Sequence, residues 1–269
     1  MDVFSAEPYR GNPLAVVIDA EGLPADVMQQ FANWTNLAET TFLLPPTDPE
    51  ADYRVRIFTG SEEFPLPAIP PSVRRTPGSR PAASPAGRRA GPGVRGRLGQ
   101  GQARRRRLAF AAPPLTRSGP VSEAELARVA AGLGMPREAL LDASWLVNGP
   151  NWIGVLLESA EAVLSVRPDY AAMAGLKVGV IGPHPAGSAV GFEVRTFIPG
   201  DAAAEDPVTG SFNAGAAQWL IRSGRAPESY VAAQGTVLGR AGRIHVDAVG
   251  DDIWVGGSSV SCIEGFVLL

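Results

Sequence analysis

The chain has 269 residues, 45% of them hydrophobic, which is enough to bury one large core or two moderate ones without covalent staples. One cysteine, Cys262, and two histidines, His184 and His245, exclude an intramolecular disulfide and a zinc-type ligand cluster, and point to a reducing, cytoplasmic setting. The formal charge of −3 hides an asymmetry, because 11 of the 24 Lys and Arg residues fall between Arg74 and Arg107 and no Asp or Glu occurs between Glu63 and Glu123.

The N-terminus reads as a strand at Val3 and Phe4 with no charged-then-apolar leader, and no apolar run reaches spanning length, so neither secretion nor a membrane partner is expected. A loop, "EPYRGNP", leads to a buried strand "LAVVI" that ends at Asp19. In "LPADVMQQFANWTN" the residues Val27, Met28, Phe31 and Trp34 recur at helical spacing, and Asn36 is a natural stop. "LAETTFLLPP" is the next strand, closed by Pro45 and Pro46. "DYRVRIFT" alternates Tyr53, Val55 and Ile57 against Arg54, Arg56 and Phe58, as a half-buried strand does.

Between Pro65 and Arg107 no hydrophobic period survives, which predicts an irregular segment. A nucleic-acid arm would draw affinity from arginine–phosphate contacts, but no aromatic residue lies between Phe64 and Phe110 to stack on bases. A linker of this length would interrupt the first domain where a second helix is expected. The genetic code offers another reading. Synonymous codons for Pro65 to Pro81 can be chosen so that a reading displaced to the third base of the first codon gives "FAGHPTLGPPHAWLEA", a glycine-histidine-proline turn and a helix-like run. The segment then reads as a frameshifted stretch over a missing helix.

The second half repeats the earlier grammar. "VSEAELARVAAGLGMP" sets Leu126, Val129, Ala130 and Leu133 on one helical face, with Ser122 and Glu125 spaced as a capping box. "SWLVNGPNWIGVLL" reads as strand, turn and strand, and "AVGFEVRTFIPG" as another strand. "GSFNAGAAQWLIRSG" is a helix ending at Gly224, and the C-terminus is rich in hairpins, with a turn at Gly250-Asp251. Two similar α+β domains, residues 1–117 and 118–269, are therefore expected rather than one barrel.

Three short stretches carry chemistry. In "NLAETTF", Glu39 enters a strand between Leu37, Ala38 and Phe42, where an apolar setting would raise its pKa toward the range useful for proton transfer; a solvated strand-edge glutamate is the plainer reading. In "EDPVTGS", Glu205 and Asp206 precede a Gly210-Ser211 step that opens a helix, whose N–H groups suit an anion such as a carboxylate; an Asp-capped turn is the plainer reading. "RGNP" is a turn between strands. His184 and His245 are read as structural or solvated, and Cys262 as a core residue.

Taken in order, "YRGNPLAVV", "TNLAETTFL", "VRTFIPG" with "EDPVTGS", and "DDIWVGG" resemble the phenazine-biosynthesis PhzF-like isomerase family, over residues 1–64 and 108–269. The resemblance implies a diaminopimelate-epimerase-like fold, α+β, in which two pseudo-symmetric domains each wrap a curved mixed sheet around a central helix, with the ligand in a cleft between them. It implies cofactor-independent isomerisation of a small carboxylate-bearing substrate, with Glu39 and Asp206 catalytic and Asn12, Gly210 and Ser211 binding substrate, while Glu205 is peripheral. No metal, flavin or nucleotide motif is present and no nucleic-acid partner is expected; a homodimer stays open. The single cysteine excludes the two-thiol epimerase branch. The family carries a GHP-type turn where this chain has "PAIPPSV", so the chain as written is expected to fold poorly and to turn over little. A rival reading keeps the fold but makes the protein non-catalytic, with the basic segment as a binding arm.

Overall fold

The computed structural model describes residues 1–47, 53–64, 72–73, 107–201 and 203–269. The frameshifted reading of 65–107, and the helix expected there, lie outside these residues except for Ser72–Val73 and Arg107. The described chain forms two compact units, Met1–Phe110 with Gly257–Leu269, and Ala111–Gly256. The expected boundary was 117/118; the units divide at 110/111, and the last residues return to the first unit.

In the first unit the strands are β1 (Asp2–Val3), β2 (Asn12–Val17), β3 (Glu39–Leu44), β4 (Tyr53–Phe58) and β5 (Ser72–Val73), with helix α1 (Ala25–Thr35) between β2 and β3. Strand β6 (Leu108–Ala111) carries the chain across the division. In the second unit follow β7 (Arg117–Pro120), α2 (Glu123–Leu133), β8 (Asp142–Val147), β9 (Asn151–Leu156), α3 (Ala160–Ser165), β10 (Lys177–Pro183), β11 (Phe192–Phe197), β12 (Glu205–Asp206), α4 (Gly210–Arg222), β13 (Ser229–Gln234), β14 (Gly242–Val249) and β15 (Asp252–Gly257). Strand β16 (Ser259–Val260) then pairs with β1.

The first sheet has the order β16-β1-β2-β3-β4-β5, and α1 makes the crossover that lets β2 and β3 run parallel. Helix α1 stops where the sequence expected, because Asn36 adopts a left-handed conformation (φ 51°) that caps it. The helix buries Met28 and Ala32 against Phe42, Leu44 and Phe58, and the Phe42 and Phe58 rings meet edge to face at 5.5 Å. Strand alternation sends Leu14, Val16, Leu43, Val55 and Ile57 to the opposite face, where all five are half-buried. Within this unit α1 is the one helix among the described residues, and it lies on the other face. Phe4, expected in the first strand, instead has φ 61° and turns the chain out of β1 after Val3.

The second sheet runs β15-β14-β13-β11-β10-β9-β8-β7, with β12 added to β11. Helices α3 and α4 make the crossovers for the parallel pairs β9–β10 and β11–β13. On one face Val129 and Leu133 of α2 and Val163 of α3 pack with Trp145, Ile153, Val155, Val178, Val180 and Phe197. On the other lies α4. Its Phe212 ring approaches so closely that a Cβ on Gly179 would sit 2.1 Å from it, so glycine there is a packing requirement. The capping box at Ser122 and Glu125 forms as the spacing predicted. The β14–β15 hairpin turns at Gly250-Asp251, with Gly250 at φ 63°.

Among the segments that the sequence pattern left unread, α3, β10 and β13 are ordered elements, as are the short strands β6, β7 and β12. Cys262, expected in the core, is instead half-exposed beyond β16, and its thiol donates to the Val260 carbonyl at 3.6 Å. The reason is positional: it lies in the irregular tail that follows the last strand.

Candidate functional site

In the first unit the "RGNP" turn is built by a residue the motif does not contain. Asp2, 3% exposed, accepts the N–H groups of Arg10 (2.7 Å) and Gly11 (2.9 Å). A side chain at Gly11 would meet the Val3 carbonyl at 2.2 Å, so only glycine lets the turn close against β1. This clamp delivers Asn12 to the first position of β2, buried and on the same side of the sheet as Glu39. The Asn12 amide donates to Glu39 Oε2 at 2.7 Å, while Asn12 Oδ1 is buried and no described residue donates to it. Glu39, half-buried, opens β3.

The second unit holds Asp206, Gly210 and Ser211 around the start of α4. Asp206 is 8% exposed and accepts the Thr209 hydroxyl at 2.5 Å. Since Thr209 gives its proton to Asp206, the Thr196 hydroxyl donates in the 2.6 Å contact between the two threonines. Gln234, fully buried, ties the turn together. Its Nε2 donates to Thr196, Thr209 and the Asp206 carbonyl, and its Oε1 accepts the Thr209 N–H and the Asn213 amide. Desolvation pushes the Asp206 carboxyl up to about 6, against the opposing bonds from Thr209 and Val208.

Because the Thr209 hydroxyl is spent on Asp206, α4 begins without a side-chain cap. The amides of Gly210 and Ser211 therefore open a helix end whose dipole favours an anion. The plainer expectation, an Asp cap, does not describe it. Ser211 is fixed from the side: its hydroxyl accepts the Trp152 indole N–H at 3.0 Å, and its carbonyl accepts the Asn148 amide at 2.8 Å. Asn148, Trp152 and Gln234 belong to none of the sequence motifs. They are ordinary strand and loop residues whose importance comes from tertiary contact, and no local spacing marks them.

Glu205 points away from this network into a buried ion pair with Arg195, at 2.8 Å, and Arg195 also caps α3 through the carbonyls of Val163 and Val166. His184 pairs with the buried Glu193 at 3.0 Å, and Thr236 donates to the other Glu193 oxygen. His245 lies in β14. A shallow groove of about 480 Å³ on the second unit, lined by Leu115, Ser144, Trp219 and Arg222, sits toward the opposite end of α4 and holds none of these residues. Among the described residues no group of three His, Cys, Asp or Glu converges as a metal site would require, and no helix is long and apolar enough to cross a membrane.

Residues 1–68 and 83–265 match the model of a family described as phenazine biosynthesis-like protein. The Schizosaccharomyces pombe protein named antisense-enhancing sequence 1 is 31% identical over 98% of this chain and 96% of its own length. The trans-2,3-dihydro-3-hydroxyanthranilate isomerase of Pseudomonas aeruginosa is 29% identical over 98% of this chain and 92% of its own. In fold, a Bacillus anthracis phenazine biosynthesis protein superposes with a TM-score of 0.70, covering 100% of this chain and 97% of its own at 18% identity.

Proposed function

Because the chain belongs to the phenazine biosynthesis-like protein family and is an isomerase of that family with its diaminopimelate-epimerase-like α+β fold, we propose that it shifts a proton within a small carboxylate-bearing substrate, using Glu39 as the acid/base. The observation that carries this reading is the bond from Asn12 to Glu39 Oε2, which holds one carboxylate in a fixed orientation at the head of a strand. In the proposed step Glu39 takes a proton from one substrate carbon, the electron pair delocalises toward the carboxylate, and the Glu39 carboxyl, whose proton exchanges with solvent, delivers a proton to a second carbon. Atoms and electrons balance without an oxidant or a cofactor.

In the second unit the uncapped start of α4 offers amides suited to a carboxylate, whose charge would be stabilised by groups already in place. Asp206 fixes the turn that presents those amides, and its upward-shifted carboxyl keeps a proton in weakly acidic solution. The relative named for trans-2,3-dihydro-3-hydroxyanthranilate suggests the class of substrate, a cyclic amino acid with a ring hydroxyl. The test is incubation of the full chain with that compound, following the product by proton NMR. Formation of an isomer of unchanged mass supports the reading. Absence of any conversion over this compound and related cyclic carboxylates would remove it.

A further inference from the structure

Asn148 follows β8 and is 6% exposed. Its Nδ2 donates to the Ser211 carbonyl at 2.8 Å, which commits the donor end of the amide to the first turn of α4. The acceptor end, Oδ1, is buried, and no described residue donates to it. Turning the amide over does not help, because it would set Oδ1 against the Ser211 carbonyl oxygen, acceptor against acceptor. The Trp152 indole N–H is not available to it, because it donates to the Ser211 hydroxyl. A buried carbonyl oxygen in a polar network is costly to leave unmade. Among the described residues, of the buried side-chain atoms without a partner only this one and Asn12 Oδ1 belong to amides bonded to candidate site residues.

Resting on the reading that the start of α4 holds the substrate's carboxylate, we propose that Asn148 Oδ1 accepts a hydrogen bond from an amino or hydroxyl group of the substrate. It thereby selects amino or hydroxy acids over acids that carry only the carboxylate. Asn148 is a specificity residue in this account, not a proton-transfer group.

The experiment titrates the full chain calorimetrically with benzoate, anthranilate and 3-hydroxybenzoate. At least one of the two donor-bearing acids is expected to bind about tenfold more tightly than benzoate, the effect of one neutral hydrogen bond to a buried acceptor. Asn148→Leu, checked for folding by thermal melting, also loses the bond to the Ser211 carbonyl, so its readout is the ratio of donor-bearing-acid affinity to benzoate affinity, which is expected to fall to about one. Equal affinities for all three acids in the wild type, or a preference that survives in the variant, would overturn the role of Asn148 and leave the carboxylate site standing. Failure of all three to bind would overturn the carboxylate site and this inference together. The wild-type series decides the matter even if the variant does not fold.

Discussion

Asn12 donates to Glu39 Oε2 at 2.7 Å and so joins the first residue of β2 to the first residue of β3 across a parallel pair. The contact depends on Asp2, whose carboxylate closes the preceding turn, and on Gly11, which leaves it room. A single sequence feature, the "GNP" step, thus acts through a residue ten positions earlier than its asparagine.

Replacing Asn12 by Ala should lower kcat about tenfold with little change in KM, since a bond to a charged partner is lost and Glu39 can rotate. Asn12→Asp should do something different: two carboxylates at hydrogen-bond distance share a proton, so the acidic limb of the rate profile moves to higher pH. Rate–pH profiles of both variants check this; identical profiles in wild type and Asn12→Asp would contradict it.

Asp206 makes a pH prediction for stability. Its folded value, about 6, lies above the ordinary carboxylate value of 3.8, so the folded state binds the proton more tightly than the unfolded state. The resulting contribution is fully present below the unfolded value and is lost as pH rises through about 6. Melting temperatures from pH 4 to pH 7 should fall more in wild type than in Asp206→Asn, which has no proton to lose. Parallel curves would show that the buried carboxyl is not the titrating group.

Breaking the Arg195–Glu205 pair should be severe, because both side chains are nearly inaccessible and Arg195 also serves the end of α3. Arg195→Met leaves a buried carboxylate without its partner, at a cost of about 3–5 kcal/mol in denaturant unfolding. Glu205→Gln, which keeps a hydrogen-bond acceptor for the guanidinium, should cost less.

Most of the elements were legible because their signals are local. The helical face of α2 and its capping box, the left-handed stop at Asn36 and the turn at Gly250 all follow from spacing or from a residue's own backbone preference. Helix α3 is only six residues long, too short to show a period, and β10 and β13 are buried runs whose glycines and alanines mask their type. The candidate site divides the same way. Glu39, Asp206 and Ser211 stand in recognisable motifs, whereas Asp2, Asn148, Trp152 and Gln234 matter only through contacts across 9, 63, 59 and 25 positions in the chain. Gly179 is a further case: nothing local reveals that Phe212 needs its empty side.

Gly179→Ala should therefore destabilise the second unit by about 1–3 kcal/mol through overpacking, and Phe212→Leu in the same chain should recover part of that loss. Denaturant unfolding of the two single variants and the double variant gives the coupling directly. Strict additivity would contradict the contact.

The segment from 65 to 107 is tested at the level of its codons. A one-base shift there is expected to restore a glycine-histidine-proline turn and an amphipathic helix, and a chain carrying that reading should turn over faster and unfold at higher temperature than the chain as written. The half-buried apolar face formed by Leu14, Val16, Leu43, Val55 and Ile57 is the surface such a helix would suit. Codons that give no such reading in either shifted frame would dispose of the idea.

Proton transfer by Glu39 is best followed as solvent deuterium entering trans-2,3-dihydro-3-hydroxyanthranilate, observed by proton NMR for wild type and Glu39→Gln, with both chains shown to be folded by circular dichroism. The account predicts slow incorporation of one deuterium by the wild type and a rate lower by roughly 10² to 10⁴ in the variant. Incorporation at the same rate in both chains would contradict it.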